Sequence, residues 1–462
     1  MYKHLVFLCC FVLFSTKLCA QIELPSSLED AVNAAVLKSL NLQNQALEVD
    51  KLNLEVKSVK GLNLPRVEAT ALYSYFRTDL RADVATATLP ISGLQVFDGV
   101  SNLSLDGNFF QGGVMAKTIL FGGMQIKNAS KAIEEKAIGT SYLMQAERDE
   151  LVQEVIHTFD QLYLIQASEA LLDDSRKRLE KENLRLEKAI ANGLAIPYDR
   201  DKIKLAQLEL QSKSVELKGA KKVLYQKITY LTGYSESQTE AVLYDLEPYL
   251  LFDDSFSVEE KQELKALESF KVAYEYLLKK ERGSFLPSLG AFAGVSYTSV
   301  FDANVGFPSP VTGNNLNVPI NEFTLFPNIM AGVALKWEIF SGFERKHKIE
   351  EAKINIMQIE NKRNDAKQKL ELQLDFRMSN YNVMLEKIEL AEQQYKVAEN
   401  NLTMATKQYQ EGLIGISDRL EAENDLYKAA QNKVNVIINQ RLAAIEVMMS
   451  TGKIYEDMST NK

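Results

Sequence analysis

Cysteine is nearly absent from this 462-residue chain, and its three copies, Cys9, Cys10 and Cys19, all fall close to the N-terminus. The rest has no thiol, which excludes disulfide staples, thiolate metal sites and cysteine nucleophiles there. Histidine is almost as scarce. Beyond His4 only His157 and His347 occur, far apart and without a neighbouring His or Cys at ligand spacing. There is no Gly-rich phosphate loop ending in Lys and no Gly-x-Ser-x-Gly elbow. Nothing here points to an enzyme, a cofactor or a metal. Basic excess is missing too: without Lys3 and Lys17, 51 basic residues (53 − 2) face 62 acidic ones, a formal charge of −11 (51 − 62). That balance argues against a nucleic-acid partner. Finally, no later segment supplies the ~20 apolar residues of a membrane-spanning helix. If the protein resides in a membrane, it must do so with strands.

The N-terminus reads as a signal peptide over 1–20. Lys3 and His4 precede an apolar run from Leu5 to Phe14, and the small Ala20 stands before Gln21. That run is too short to span a bilayer. Leu18, just before Cys19, is not the small residue that lipid attachment wants.

What is present is a duplication. Leu120-Phe121-Gly122-Gly123 returns as Ile339-Phe340-Ser341-Gly342, and Asn192-Gly193-Leu194 returns as Glu411-Gly412-Leu413. Leu231-Thr232-Gly233 returns as Ser450-Thr451-Gly452. The offset is 219 each time (339 − 120, 412 − 193, 452 − 233). Gly61 with Leu64-Pro65 corresponds to Gly283 with Leu286-Pro287 at an offset of 222 (283 − 61), so a small indel intervenes. A repeat of this size implies two similar structural halves, 21–232 and 257–452, joined by a linker at 233–256 and followed by a tail at 453–462.

Each half contains a long stretch without proline, 123–192 and 342–411, rich in Leu, Ala, Glu, Lys and Gln. About 70 residues make ~105 Å of helix. Leu374, Tyr381, Ile388, Tyr395, Leu402 and Tyr409 recur at sevens, with Met384, Ala391, Ala398 and Ala405 three residues behind. Leu151, Ile165, Leu172, Leu179 and Leu186 do the same in the first half, interrupted by Thr158. This is coiled-coil periodicity, and the tyrosines fit packing knobs. Half-length helices are expected at 26–61, 197–232, 257–282 and 417–452. The first opens with Ser26 and Glu29 at capping-box spacing. Two short helices end to end match one long one, which describes a rod of even length.

Between the helices the period falls to two, predicting strand pairs 66–76/111–121 and 288–299/328–340. Val67, Ala69, Ala71, Tyr73 and Tyr75 alternate with more polar positions, and aromatic residues such as Phe110, Tyr297 and Trp337 gather near the strand ends. These features fit membrane strands with aromatic girdles, against the alternative of a soluble β-sandwich insert. Four strands cannot close a barrel in lipid, so the chain must oligomerise, and two, three or four copies all give an even strand count.

The order of these elements resembles the TolC-type outer-membrane efflux proteins. The resemblance runs over nearly the whole chain after the signal peptide. It is carried by the Leu-Pro entry to each strand pair, the Phe-x-Gly exits at Phe121–Gly123 and Phe340–Gly342, and the Gly-Leu-x-x-x-x-Asp turns at Gly193–Asp199 and Gly412–Asp418. It implies an α+β membrane protein, a homotrimer with a twelve-stranded β-barrel in the outer membrane. Tandem-repeat coiled-coil helices would form a periplasmic α-barrel, and the 233–256 linker with the tail would form an equatorial girdle. The implied partners are a periplasmic adaptor and an inner-membrane pump of RND, ABC or MFS type, in drug efflux or type I secretion. A coiled-coil periplasmic scaffold without conductance is the alternative. A simple diffusion porin is disfavoured by the long helices.

A conduit needs a gate. Asp418 and Glu421 stand one helical turn apart on one face, and three copies would form acidic rings favouring cations. The resemblance places such acids at the periplasmic aperture. Asp199 corresponds to Asp418, whereas the position of Glu421 is Lys202. First-turn acids also complement a helix dipole, which gives Asp418 a second expected role. Gly193, Leu194, Gly412 and Leu413 would occupy the adaptor-contact tips, although a glycine followed by a leucine also suits a helix C-cap. Lys117 and Lys336, equivalent in the repeats, alternate with apolar residues and are expected to face the barrel lumen, or else to reach towards lipid headgroups.

Overall fold

The computed structural model describes residues 25–83, 87–88, 95–97, 100–251, 256–308 and 315–452. The expected signal peptide and tail, and part of the linker at 252–255, lie outside the described residues. Helices α1 (Ser26–Lys38) and α2 (Leu40–Lys60) lead into strand β1 (Arg66–Asp83), a small hairpin β2 (Ala87–Thr88) and β3 (Gln95–Phe97), and β4 (Val100–Gly122). Then come α3 (Gln125–Ala191), α4 (Pro197–Thr232), the short α5 (Glu236–Glu240) and α6 (Gln262–Gly283). The second half continues with β5 (Ser288–Pro308), β6 (Asn315–Lys336), α7 (Glu344–Gln410) and α8 (Ile416–Thr451). Among the described residues no helix is long and apolar enough to cross a membrane.

The chain forms two compact units. One gathers the residues up to Lys51, Lys136–Lys271 and those from Gln358 on. Its core joins Leu28, Ala31 and Val32 of α1 to Val152, Ile156 and Phe159 of α3 and to Ala444, Ile445 and Met448 of α8. The heptad residues Leu172, Leu179, Leu186, Tyr381 and Leu402 are buried, as the 3.5-residue period requires. Thr158, the interruption, is buried too and satisfies its hydroxyl by donating to the Glu154 carbonyl at 2.6 Å. Helix α8 lies between α7 (Arg377 Nη1 to Ser450 Oγ, 2.7 Å) and α3 (Arg178 to Glu423, 2.8 Å). In turn α3 holds α4 through Lys221–Glu169 and Lys227–Glu154, both 2.9 Å.

Two seams in this unit stay uncovered. On α7, Phe376, Val383, Leu390, Val397 and Met404 are exposed at intervals of seven, two residues out of phase with the buried seam. On α4, Leu208, Val215, Val223 and Tyr230 are exposed seven or eight apart.

The linker crosses this unit as an extended strap, pinned where Arg441 and Asp160 meet. Both side chains are about 2% exposed. Arg441 donates from Nε to Asp160 Oδ2 (2.9 Å), from Nη2 to Asp160 Oδ1 (3.1 Å), and from Nη1 to the Glu247 carbonyl (3.0 Å). Tyr244 donates to the same carboxylate at 2.8 Å, and Gln440 exchanges two hydrogen bonds with the Tyr249 backbone. Burial pushes the Tyr249 phenol up to about 12, so it stays neutral at physiological pH. Helix α1 starts differently from expectation. Pro25 is its N-cap, no side chain caps it, and Ser27 donates instead to the Leu243 carbonyl, so the Ser26/Glu29 capping box does not form. A capping box does close at Ser235 and Gln238 of α5.

The other unit, Leu52–Glu135 with Val272–Met357, holds an antiparallel sheet in the order β1-β4-β5-β6. Its register gathers most polar side chains on one face, which also carries Leu72, Met115, Phe292 and Met330. Arg66, Glu68, Thr70 and Ser74 share a face with Lys117, Gln111, Ser296, Thr298, Asn328 and Lys336. The opposite face carries Val67, Ala69, Tyr73 and Tyr75 of β1, Val114 and Ala116 of β4, Ala293 and Val295 of β5, and Ile329, Val333 and Leu335 of β6. The strands run further than 66–76, 111–121 and 288–299, because the backbone ladder continues where apolar alternation stops. From Arg77 the outward side chains turn charged (Arg77, Asp79), and such a strand reads as a loop by polarity alone. The apolar band from Val67 to Tyr75 is about nine residues, the length a tilted membrane strand needs. At the other end β6 stops at Lys336 rather than at 340. Its partner β5 begins opposite, at Ser288, and offers nothing further to pair with.

Candidate functional site

The two helix-turn-helix tips are built alike. Gly193 and Gly412 sit at φ +73° and +76°, the left-handed region that glycine adopts without a Cβ penalty. The Leu194 N–H donates to the Ala189 carbonyl (2.8 Å) and Gly193 N–H to Ile190 (3.0 Å). Leu413 and Gly412 repeat this with Gln408 (2.8 Å) and Tyr409 (3.1 Å). These paired bonds are a Schellman C-cap. Such caps bury the residue after the glycine against the helix, yet Leu194 is 82% and Leu413 74% exposed. The glycines therefore cap, and the leucines are left free in the protomer. Ile416 does the local packing instead, buried with Leu186 and Ile203.

Asp418 and Glu421 are both exposed on the first turns of α8. Asp418 Oδ2 accepts the Gly415 N–H at 3.1 Å, so the carboxylate closes the helix start as its position in the sequence allows. Asp425, a residue the sequence reading passed over, is exposed one turn beyond Glu421 and extends the same acidic face. Its i, i+3, i+7 spacing from Asp418 was the available signal. Asp199 lies in the first turn of α4, half-buried. No hydrogen bond joins it to Asp418 or Glu421. The two turns meet instead through Lys202, whose Nζ donates to Ser417 Oγ at 2.7 Å and lies 4.5 Å from the centre of the Tyr198 ring. Lys202 and Glu421 line one shallow groove.

Behind the acidic face is a buried ionic cluster with no counterpart in the sequence reading. Glu423 accepts from Arg178 Nε (2.8 Å) and lies 3.3 Å from Arg419 Nη2. Arg419 is almost fully buried, and its Nε and Nη1 have no hydrogen-bond partner among the described residues. The equivalents of Arg419 and Glu423 in the first repeat, Arg200 and Lys204 (419 − 219, 423 − 219), are exposed and are not paired with each other. Burial, with Glu182 and Asp199 nearby, raises the Tyr409 phenol.

In the sheet, Lys117 and Lys336 lie on the polar face by register, with Arg66 and Glu68, and Lys117 Nζ stands 3.5 Å from Glu68 Oε2.

An antiparallel sheet with one mostly apolar face, and long heptad helices with uncovered seams, are the elements of an outer-membrane efflux channel fold. Residues 258–453 match the family model described as outer membrane efflux protein. No curated protein sequence matches the chain. Among solved structures it is similar to CusC, a transmembrane channel, with TM-score 0.71 and 14% identity over 94% of this chain and 93% of that one. It is also similar to the outer membrane protein VceC of Vibrio cholerae (0.66, 15%, 92% and 96%). The CmeC outer membrane channel of Campylobacter jejuni is a third (0.67, 14%, 94% and 89%). At these identities the likeness is one of fold.

Proposed function

We propose that the chain is the outer-membrane exit duct of a tripartite efflux or type I secretion system, a passive conduit rather than a catalyst. The observation that carries this is the sheet: one face is apolar across a membrane's thickness, while β1 and β6 are left as unpaired edges. In the sheet β1 and β6 run in opposite directions, so β6 of one copy can take β1 of the next and preserve the antiparallel alternation. Three copies of four strands then close twelve. The uncovered seam of α7 would meet that of α4 in the same ring. The chain divides into repeats 21–232 and 257–452 around the 233–256 linker, and sits in the outer membrane, extending into the periplasm. Its partners are a periplasmic adaptor and an RND, ABC or MFS-type pump of the inner membrane, which supplies the energy.

In this reading Asp418 and Glu421, with Asp199 behind them, ring the periplasmic aperture, and Lys117 and Lys336 line the barrel. Purified protein reconstituted in planar bilayers should conduct as a trimer. A non-conducting, water-soluble coiled-coil protein would instead support the scaffold reading. Asp418→Ala with Glu421→Ala should raise single-channel conductance and lower cation selectivity. Unchanged values for both would remove the gate role and leave Asp418 a helix cap.

The freed leucines are read as adaptor contacts. Leu413→Ser with Leu194→Ser should abolish drug resistance in cells and cross-linking to the adaptor, while trimers still form. Loss of the trimers themselves would make the leucines structural.

A further inference from the structure

The face of the sheet that carries Lys117 and Lys336 is polar at its helical end and apolar at the other. Residues directly opposite each other in a ladder share a face. Near the helices Arg66 and Lys117 stand in one row, and two rows further on Thr70, Ser296 and Asn328 line up. At Ser74, eight residues along β1 from Arg66 (74 − 66), the composition changes. Ser74 shares its row with Phe109, Val300 and Phe323. Thr78 shares the next but one with Leu105 and Val305, Phe76 lies between them, and Leu80 pairs with Leu103 beyond. Val300 and Val305 are an odd number of residues apart and would face opposite ways in a regular strand. A bulge between them, where Asp302 takes φ +47°, keeps both on this face.

The opposite face changes in the reverse sense at the same level. Beyond its apolar band from Val67 to Tyr75, Arg77 pairs with Asp106, Asp79 with Ser104 and Arg81 with Asn102. Glu322, in the row of Tyr75, Asn108 and Phe301, accepts from Thr324 Oγ1 at 2.8 Å and from the Tyr297 hydroxyl at 3.1 Å. The sheet is therefore amphipathic twice, with opposite signs. A polar inside and an apolar outside suit strands that stand in lipid around water. An apolar inside and a charged outside suit strands that stand in water around a dry interior. Leu80 and Phe323 are nonetheless more than half exposed in the protomer. Lining a water-filled passage, each would forgo about 1.5–3 kcal/mol of burial.

We propose that Leu80, Leu105, Phe109, Val305 and Phe323 of every copy form an apolar collar in the outer part of the barrel lumen, a dewetted seal against hydrated ions that amphiphilic organic cargo can cross. The inference deepens the exit-duct reading and rests on it. Ring closure selects the collar of the other copies as what these side chains face, because the face that carries them turns to the axis all the way round. Barrels of eight strands are filled by their side chains, and those of sixteen hold an open channel. Twelve strands lie between, so inward phenyl groups narrow the lumen and leave room for an organic molecule. Apolar constrictions stop ions by dewetting even where they are wider than the ion. The acidic tip then bars the duct by charge at one end, and the collar bars it by lack of polarity at the other.

Two measurements on the reconstituted full-length trimer test the collar. No cysteine follows Cys19, so single cysteines report cleanly. A charged, membrane-impermeant thiosulfonate should modify Ser104→Cys, on the charged outward face, and react roughly tenfold more slowly with Leu105→Cys, its neighbour on the collar. The second readout is single-channel conductance in the Asp418→Ala, Glu421→Ala background, where the tip no longer limits the current. Adding the near-isosteric pair Leu105→Asn and Val305→Thr should raise conductance about threefold further, because wetting rather than width is the barrier. Equal labelling of the two cysteines would show a wet lumen, and unchanged conductance would show that polarity there limits nothing. Either outcome overturns the collar and leaves the channel standing. Protein that conducts in none of these forms overturns the duct reading, and the collar with it.

Discussion

Asp160→Ala should be the most destabilising single change in the helical unit, costing about 3–5 kcal/mol. Asp160 accepts two hydrogen bonds from Arg441 and a third from Tyr244, with both charges about 2% exposed. Removing the carboxylate leaves a guanidinium in the interior with the Glu247 carbonyl and the Tyr249 hydroxyl as its hydrogen-bond acceptors among the described residues. The strap from Val242 to Leu251 would also lose the hydrogen bond that Tyr244 donates to α3. The readout is the urea midpoint of the detergent-solubilised protein at constant slope, read by helical circular dichroism. The paired change Asp160→Leu with Arg441→Met should recover most of the loss, because removing both charges also removes their desolvation. If the double variant proves as unstable as the single one, the hydrogen bonds to the strap matter more than the unpaired charge.

Leu390→Glu with Val397→Glu on α7 should prevent trimers from forming. These residues belong to the seam Phe376, Val383, Leu390, Val397, Met404, which the protomer leaves uncovered. If the neighbouring copy covers it, six carboxylates per trimer would enter an apolar interface, each at a cost of several kcal/mol. Native mass measurement in detergent should then find monomers with unchanged helical content. Lys396→Glu, an exposed position about 100° around the helix from Val397, should leave trimers intact. Trimers persisting with both glutamates would show that α7 faces water there.

The helices were the most legible part of the chain, since Leu172, Leu179 and Leu186 at sevens state both the period and the buried face. The strand cores were legible where Val67 to Tyr75 alternate with more polar residues. They faded beyond Arg77, where the outward side chains Arg77, Asp79 and Arg81 are charged and backbone bonding continues the strand. At the tips, the turn glycines were clear because the left-handed cap demands them. The exposure of Leu194 and Leu413 was not, since a cap and a contact share one sequence pattern. The buried charges were invisible: Asp160 and Arg441 lie 281 residues apart, and no local spacing distinguishes them from the many solvated Glu and Lys of the same helices. The second seam of α7 could have been counted from sequence, but the stronger series beginning at Leu374 masks it.

That β1 differs from β6, and the α4 seam from that of α7, has a genetic corollary. Head-to-tail rings accept a poisoned member that still has one sound side, and cannot then be completed. In a cell expressing normal and side-defective copies equally, only about one ring in eight would be wholly normal if three copies assemble at random. A side-defective allele of this gene should therefore behave as a dominant inhibitor of its own wild type, whereas an allele that never folds should be recessive.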